Sequence, residues 1–570
     1  MTVGPLKNSE ETLVTDDKEM ADILNIHYCN MFTREDLSSM PGVETLFQGE
    51  ELLSTVEITE EKVKVKLKKL KPNSAPGPDK VWTKVLHDLA DQLSAPLAII
   101  YGRLLEEQAV PDIWLKSLVC PIFKKGAKSD PGNYRPVSLT CVVCKVMESI
   151  LVDALIYHMV TNNLLRASQH GFLPGKSTIT CMLEYLETLT KWMDEGKCFD
   201  VIYCDFAKAF DKVPWERLLA KMRGVGVGGK LLGWVRTWLT DGRLQSVVLN
   251  GQQSSWGEIV SGVIQGSCLG PALFLIFIND IDTAVDLTTS LLSKFADDTK
   301  WARVVESEED RRKFQDGVDG LARWSQDWQL LFNVGKCKIM HFGAKNQNFK
   351  YTMNGQEMEE VDMEKDVGVL VTTNLKPSQQ CSAAAGKANS VLGQLSRAVR
   401  YRDRRTFIQL YKVYVRPHLE YCIQAWSPYY QADKDKLEKV QRRAVNMVAG
   451  LRGRTYEQKL EEVGLTTLED RRTRGDMIQT FRILNGVDRV EPSSWFTLAH
   501  ERDRVGAANT RHSNDITRTV EGRSKTEVRR NFFSQRVPGQ WNSLPVTTRQ
   551  QPSVTAFKAA YDGTRLMDPG

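Results

Sequence analysis

Ser290-Leu291-Leu292-Ser293-Lys294-Phe295-Ala296-Asp297-Asp298-Thr299-Lys300-Trp301-Ala302-Arg303-Val304-Val305 decides how the rest of this chain is read. Two strand-like apolar runs, 290–295 and 301–305, flank the adjacent acids, the pattern of a β-hairpin with Asp297 and Asp298 at its tip. Successive strand side chains point to opposite faces, so the pair need not present both carboxylates to one site. A third acid, Asp205, ends another strand-like run, Val201-Ile202-Tyr203-Cys204. Carboxylates on converging strands repel one another unless cations neutralise them. Hard divalent cations take oxygen ligands, and two of them about 4 Å apart stabilise the attacking and leaving oxygens of an in-line phosphoryl displacement. Taken alone, an Asp-Asp pair is as well explained by a solvated turn, so the neighbouring sequence has to carry the case.

The composition, 42% hydrophobic and 26% charged over 570 residues, is that of a globular protein able to bury sizeable cores. The net charge of +5 is unevenly spread: from Cys381 onward there are 33 Lys+Arg against 20 Asp+Glu, which leaves the first 380 residues acidic. An acidic first part suits metal chemistry and a basic tail suits polyanion contact, although solvated arginine-rich helices would look the same. No run of 18 apolar residues suggests a membrane span, and the first residues do not read as a secretory signal. Eleven scattered cysteines fit a reducing compartment, so an intracellular setting, nucleus or cytoplasm, is expected. Cys141-Val142-Val143-Cys144 has no matching second pair to make a zinc site.

Along the chain, residues 1–104 read as a mainly helical N-terminal extension, broken at Lys71-Pro72-Asn73-Ser74-Ala75-Pro76-Gly77-Pro78-Asp79 and continuing as a helix over 81–108. Residues 105–372 then alternate strands and helices. Val119–Phe123, the basic loop Lys124-Lys125-Gly126-Ala127-Lys128 and Asn133–Leu139 read as a hairpin-like finger with cations at its tip. Gln169-His170-Gly171-Phe172 precedes a helix. Gly175-Lys176-Ser177 has the ending of a P-loop, but His170 stands where that motif needs glycine. Strands 245–249 and 256–260 lead to Gln265-Gly266-Ser267, which opens an apolar helix over 269–281. After the Asp297-Asp298 hairpin come a helix over 308–326 and a strand, Lys338–Phe342. This order predicts an α+β fold, an antiparallel sheet backed by helices on one face. Residues 373–570 read as helical, with Trp, Tyr and Arg interleaved.

At this point the motifs, taken in order, resemble the reverse transcriptases of non-LTR retrotransposons, the LINE type, and among them the jockey-like elements. The match runs through Ser74-Ala75-Pro76-Gly77-Pro78-Asp79, Tyr134-Arg135-Pro136-Val137-Ser138-Leu139 and Gln169-His170-Gly171-Phe172. It continues through Asp205-Phe206-Ala207-Lys208-Ala209-Phe210-Asp211, Gln265-Gly266-Ser267 with Leu269-Gly270-Pro271, and Phe295-Ala296-Asp297-Asp298. Tyr414–Tyr421 and Trp541-Asn542-Ser543-Leu544-Pro545 extend it into the tail. No single motif decides; their number and order do.

The resemblance implies a right-hand polymerase, with fingers and palm over 105–372 and a helical thumb and basic C-terminal region over 373–570, that copies RNA into DNA. Asp205 and Asp297 would bridge two Mg²⁺ ions, or Mn²⁺ in their place, with Asp298 assisting and the carbonyl of Phe206 as a further ligand. Phe210 would sit under the incoming sugar and exclude a 2′-hydroxyl. Gln265 and Gly266 would line the nucleotide pocket, Lys124, Lys125 and Arg135 would hold the triphosphate, and Lys336 would be the general acid for pyrophosphate. The implied partners are an RNA template, a DNA primer and deoxynucleoside triphosphates, with no membrane. Three features depart from the family pattern: Ile264 in place of the usual Pro, Cys268 in place of an aliphatic residue, and Lys80-Val81-Trp82 in place of Gly-Ile. The endonuclease that usually precedes such polymerases is not seen in this sequence. The competing expectation is therefore a truncated or domesticated remnant that binds nucleic acid without turnover. An RNA-dependent RNA polymerase fits less well, because Phe210 would obstruct ribonucleotides.

Overall fold

The computed structural model describes residues 3–498, 518–520 and 522–567, with side chains to 564. The strands that build the site are β1 (Lys116–Phe123), β2 (Tyr134–Leu139), β3 (Phe199–Cys204), β4 (Leu244–Leu249), β5 (Ser290–Phe295), β6 (Asp298–Val304) and β7 (Lys338–Phe342). The helices that position them are α1 (Asp17–Cys29), α2 (Val142–Thr161), α3 (Thr178–Asp194), α4 (Leu269–Ile278), α5 (Glu308–Asp327), α6 (Ser378–Ala398) and α7 (Gln431–Asn446).

β3 is the centre of one five-stranded sheet, flanked by β6 and β7, with β5 outside β6 and Glu359–Glu360 outside β7. Every residue of β3 is buried. A run such as Phe-Asp-Val-Ile-Tyr-Cys, apolar on both alternating positions, is stable only when covered on both faces. That is the arrangement found, and it corrects the expectation of helices on one face alone. Ile202, Cys204, Trp301 and Ile339 pack with α4 and α5. Val201, Tyr203, Ala302 and Met340 pack with α3 and the C-terminal helices, including α6 and α7. The polar exception, Asp200, is fully buried and accepts hydrogen bonds from Tyr351 Oη at 2.6 Å and Asn346 Nδ2 at 2.8 Å, with His341 Nδ1 at 2.7 Å.

Several element boundaries differ from the sequence expectation. The second strand of the acid hairpin begins at Asp298, not Trp301, so the turn is only two residues long. The apolar helix ends at Ile278 and continues as a 3₁₀ turn, Asn279–Ala284. The helix expected over 81–108 is two, Thr83–Asp88 and Ala90–Glu106, meeting at Leu89.

The fingers sheet joins β1 and β2 antiparallel, with β4 added parallel to β1. α1 closes over it, setting Leu24 and Tyr28 against Val119, Tyr134 and Val247. The segment between α1 and the helix Glu60–Lys68 straps this unit to the helix Trp215–Gly224 beside the β3 sheet. Glu35 accepts the N–H groups of Glu216 and Arg217 at 2.8 and 3.0 Å, at the start of a helix. The buried guanidinium of Arg217 donates in turn to Glu35 and to the carbonyls of Asp36, Ser39 and Asp327. Lys80, where the family pattern has glycine, adopts φ +56°, the left-handed region that glycine enters without strain.

Candidate active site

The hairpin β5–β6 pairs Phe295 with Asp298 and turns on Ala296-Asp297. Ala296 takes φ +58°, a conformation that costs a residue with a Cβ roughly 1–2 kcal/mol. Strand register brings the third acid alongside. Cys204 pairs with Thr299, so Asp205 and Asp298, one step beyond, come side by side on strands about 4.8 Å apart. Asp205 and Asp298 line one cleft together with Lys125, Lys336, Lys300 and Asp366. The main chain of Asp205 is fixed by Asn333, whose N–H donates to the Asp205 carbonyl at 2.7 Å. Lys336 Nζ lies 3.3 Å from Asp205 Oδ2 and is otherwise open to the cleft.

The acids are electrostatically crowded. Burial raises the Asp297 carboxyl above the ordinary range and Asp205 adds repulsion, while Arg135 and Lys124 pull it down. Partial burial, then the carboxylates of Asp297 and Asp366, push Asp298 up to about 6, against the pull of Lys300. Behind Asp298, the buried ammonium of Lys300 is ion-paired to Asp366 and stands 4.2 Å from the Tyr185 ring centroid. Facing the acids is a wall of cations. Burial lowers Lys124, and Arg135, Lys208 and Lys336 lower it further. Burial also lowers Lys208, which sits at φ +59°. Lys208 lies inside the Asp205–Asp211 motif, but the composition of that motif alone gave it no role.

The expected nucleotide-side residues come together on the fingers side. The Phe210 ring stacks on Phe274 with centroids 4.6 Å apart and meets Phe172 edge-on at 6.1 Å. Phe210 and Gln265 line the same small cavity. Gln265 Nε2 donates to both oxygens of Asp211, at 3.1 and 3.2 Å, and burial pushes Asp211 up to about 6. Gly266 takes φ +121°, and a Cβ there would lie 2.3 Å from the Ser138 carbonyl oxygen. The close approach that Gly266 permits is therefore to β2. Phe206 turns its ring into the core, stacked on Phe332 at 4.3 Å, which leaves its main chain to serve the site. Ile264 packs in that same core, behind the loop.

Two supporting residues were missed by sequence reasoning. Glu148 of α2 is fully buried and accepts the N–H groups of Cys268 and Leu269, at 2.7 and 3.2 Å, fixing the start of α4 just after Gln265-Gly266-Ser267. The available signal was an acid with apolar neighbours, one of only two (with Asp153) in the run 142–156. Gln169 reaches the Ala296 turn, as described below.

The donors at the sheet end are all carboxylate oxygens, a set that suits Mg²⁺. Among the described residues, no three His, Cys, Asp or Glu side chains close round one point. The acids form an open edge that substrate phosphates would complete, as Mg²⁺ sites in nucleotide enzymes commonly are.

A sheet bearing acids at one end, a cationic fingers hairpin across the cleft and helices beyond make an α+β right-hand polymerase fold. Residues 122–358 match the family model described as reverse transcriptase (RNA-dependent DNA polymerase). The chain is 26% identical over 411 residues to the RNA-directed DNA polymerase from mobile element jockey of Drosophila funebris, covering 69% of this chain and 44% of that protein. It is 24% identical over 496 residues to the probable RNA-directed DNA polymerase from transposon BS of Drosophila melanogaster, covering 82% and 54%. A solved apo telomerase from Candida tropicalis, truncated from its C-terminal domain, aligns with 12% identity and a TM-score of 0.33 over 50% of this chain and 59% of that one. Residues 122–358 thus match a reverse transcriptase domain, the chain is similar to polymerases of jockey and other mobile elements, and it spans about half the length of the curated relatives it matches.

Proposed function

We propose that this chain is an RNA-directed DNA polymerase that extends a DNA primer along an RNA template. The observation that carries the reading is the register of β3 against β6, which sets Asp205 beside the Asp297-Asp298 turn and opposite Lys124, Arg135, Lys208 and Lys336. Two Mg²⁺ ions, when bound by Asp205, Asp297 and the main chain of Phe206, would supply the charge neutralisation that phosphoryl transfer needs. Asp298 holds its place on the first residue of β6 and adds negative charge to the cluster. Lys124, Lys125 and Arg135 bind and orient the triphosphate, the first two as point charges and Arg135 as a planar fork. Lys336, already paired with Asp205, is placed to hold a proton for the departing pyrophosphate. Phe210, backed by Phe274, presents a ring edge that leaves no room for a 2′-hydroxyl, so deoxynucleoside triphosphates are the favoured substrates.

A homopolymer RNA template with an oligonucleotide DNA primer tests the proposal. Extension dependent on Mg²⁺ or Mn²⁺ is expected, and Asp297→Ala/Asp298→Ala should lower it at least about 10³-fold. Template binding without extension in either metal would instead assign the chain to nucleic-acid binding without turnover. Among the described residues, no helix is long and apolar enough to cross a membrane.

A further inference from the structure

Gln169 lies in a segment that runs beside β5. The Lys294 N–H donates to the Ser168 carbonyl at 2.8 Å, and the His170 N–H donates to the Lys294 carbonyl at 2.9 Å. The segment is itself anchored. The buried His170 ring lies 3.0 Å from Thr180 Oγ1 on one nitrogen and 3.0 Å from Glu184 Oε2 on the other. From this platform the Gln169 side chain, 1% exposed, extends past the end of β5 to the two-residue turn. Its Oε1 accepts the N–H of Ala296 at 3.0 Å and the N–H of Gly171 at 2.7 Å. Its Nε2 donates to the Ala296 carbonyl at 3.4 Å. One carboxamide thus engages both polar main-chain groups of the residue that carries the left-handed φ. Gly171 completes the fit, since a Cβ there would come within 2.3 Å of the Ala296 nitrogen.

Two-residue hairpin turns with positive φ ordinarily use Gly, Asn or Asp. Here the strained position is an alanine, and the residue that follows is one of the three acids. We infer that Gln169 is a positioning residue for Asp297: it locks Ala296 in the left-handed conformation and so sets the direction in which Asp297 presents its carboxylate toward Asp205 and a divalent cation. This rests on the polymerase reading above. Outer hydrogen-bond partners of metal-binding groups change metal affinity 10–100-fold when removed, and Gln169 has that relation to Asp297 through one turn residue.

The test compares wild type, Gln169→Met, and Gln169→Met/Ala296→Gly. Mn²⁺ binding is read from the electron paramagnetic resonance of free Mn²⁺ without substrate, and primer extension is followed against Mg²⁺ concentration. Gln169→Met is expected to weaken Mn²⁺ binding at least 10-fold and to raise the Mg²⁺ needed for half-maximal extension by a similar factor. Glycine at 296 adopts the same φ without a Cβ penalty, so the double variant should recover part of both losses. Gln169→Asn, polar but one methylene short of the turn, should show the same weakening if methionine at 169 prevents folding. Wild-type Mn²⁺ affinity in a folded Gln169 variant overturns the inference, as does a loss that Ala296→Gly leaves untouched, or wild-type protein that binds no Mn²⁺. Wild-type protein that binds Mn²⁺ through Asp297 yet extends no primer would count against the polymerase reading alone, because the binding comparison still decides the role of Gln169.

Discussion

At the scale of single residues, the most informative group outside the acid turn is Asp211. Its position next to Phe210 is plain in the sequence, but its partner Gln265 lies 54 residues away, and only the fold shows that Asp211 holds that carboxamide. Burial raises Asp211 to about 6, and Lys208, Arg135 and Lys124 offset only part of the rise. A carboxyl raised in the folded state binds its proton more tightly there than in the unfolded chain. Stability is therefore lost as pH climbs from about 4, where the unfolded carboxyl ionises, to about 6, where the folded one does. Asp211→Asn removes this titration. The stability of the variant relative to wild type should rise by about 1–3 kcal/mol between pH 4 and pH 7 and stay level above that. Urea unfolding at a series of pH values measures it, and a difference independent of pH would show that Asp211 ionises in the fold as freely as in the unfolded chain. That Asp205 follows the end of a strand and Asp297 sits in a hairpin turn was legible because acids beside apolar runs are local signals, whereas the reading of Phe210 came only from the family resemblance. The Lys300–Asp366 pair behind Asp298 was not, since nothing near Lys300 in sequence marks its partner 66 residues on.

At the scale of elements, the hairpin was legible because apolar runs and a polar turn occupy adjacent sequence. The two-sided burial of β3 was equally available in its lack of alternation. The parallel pairing of β1 with β4 was not, because it joins Lys116–Val119 to Leu244–Val247 across more than a hundred residues, and parallel pairs leave no turn signature. The same holds for Glu148, which ties α2 to the start of α4. A carboxylate accepting two N–H groups at a helix N-terminus stabilises it through the helix dipole as well as by hydrogen bonding. Glu148→Gln keeps the shape and one acceptor but loses the charge, and should cost about 1 kcal/mol. Glu148→Ala leaves two buried N–H groups without an acceptor and should cost about 2–4 kcal/mol. Because the cap follows directly on Gln265-Gly266-Ser267, the KM for deoxynucleotide should rise several-fold in the glutamine variant, more than kcat falls. Denaturant unfolding combined with steady-state extension separates the two effects. A stability loss with KM unchanged would confine Glu148 to holding α4.

At the scale of the whole molecule, the basic tail acquires a different meaning from the one its composition suggests. Many of its arginines are committed within the fold: Arg471 to Glu420, Arg474 to Asp562, Arg482 to Asp488, Arg529 to Glu187 and Arg536 to Asp476, while Arg404 and Arg454 share Glu462. Most of these pairs fasten the C-terminal helices to one another, Arg482–Asp488 and Arg454–Glu462 each tie a helix to the adjoining loop, and Arg529 ties the C-terminal helices to α3. The excess of 33 basic over 20 acidic residues from Cys381 onward therefore overstates the charge free to meet phosphates. Lys387 and Arg397, by contrast, project from the exposed side of α6, where small residues such as Ala383 and Gly386 leave the helix surface open. Phosphate contacts reveal themselves in the salt dependence of binding, each lowering the slope of log K against log salt by about 0.7–0.9 when removed. Lys387→Gln and Arg397→Gln should each reduce the slope by about that amount with little change in stability. Arg536→Gln should leave the slope as it is but cost about 3–5 kcal/mol, because the buried Asp476 loses its partner. Fluorescence anisotropy of a labelled template–primer from 50 to 300 mM KCl, with urea unfolding alongside, tests both halves. A reduced slope in folded Arg536→Gln, or an unchanged one in both α6 variants, would show that the phosphates are met by the paired arginines and not by the open face of α6.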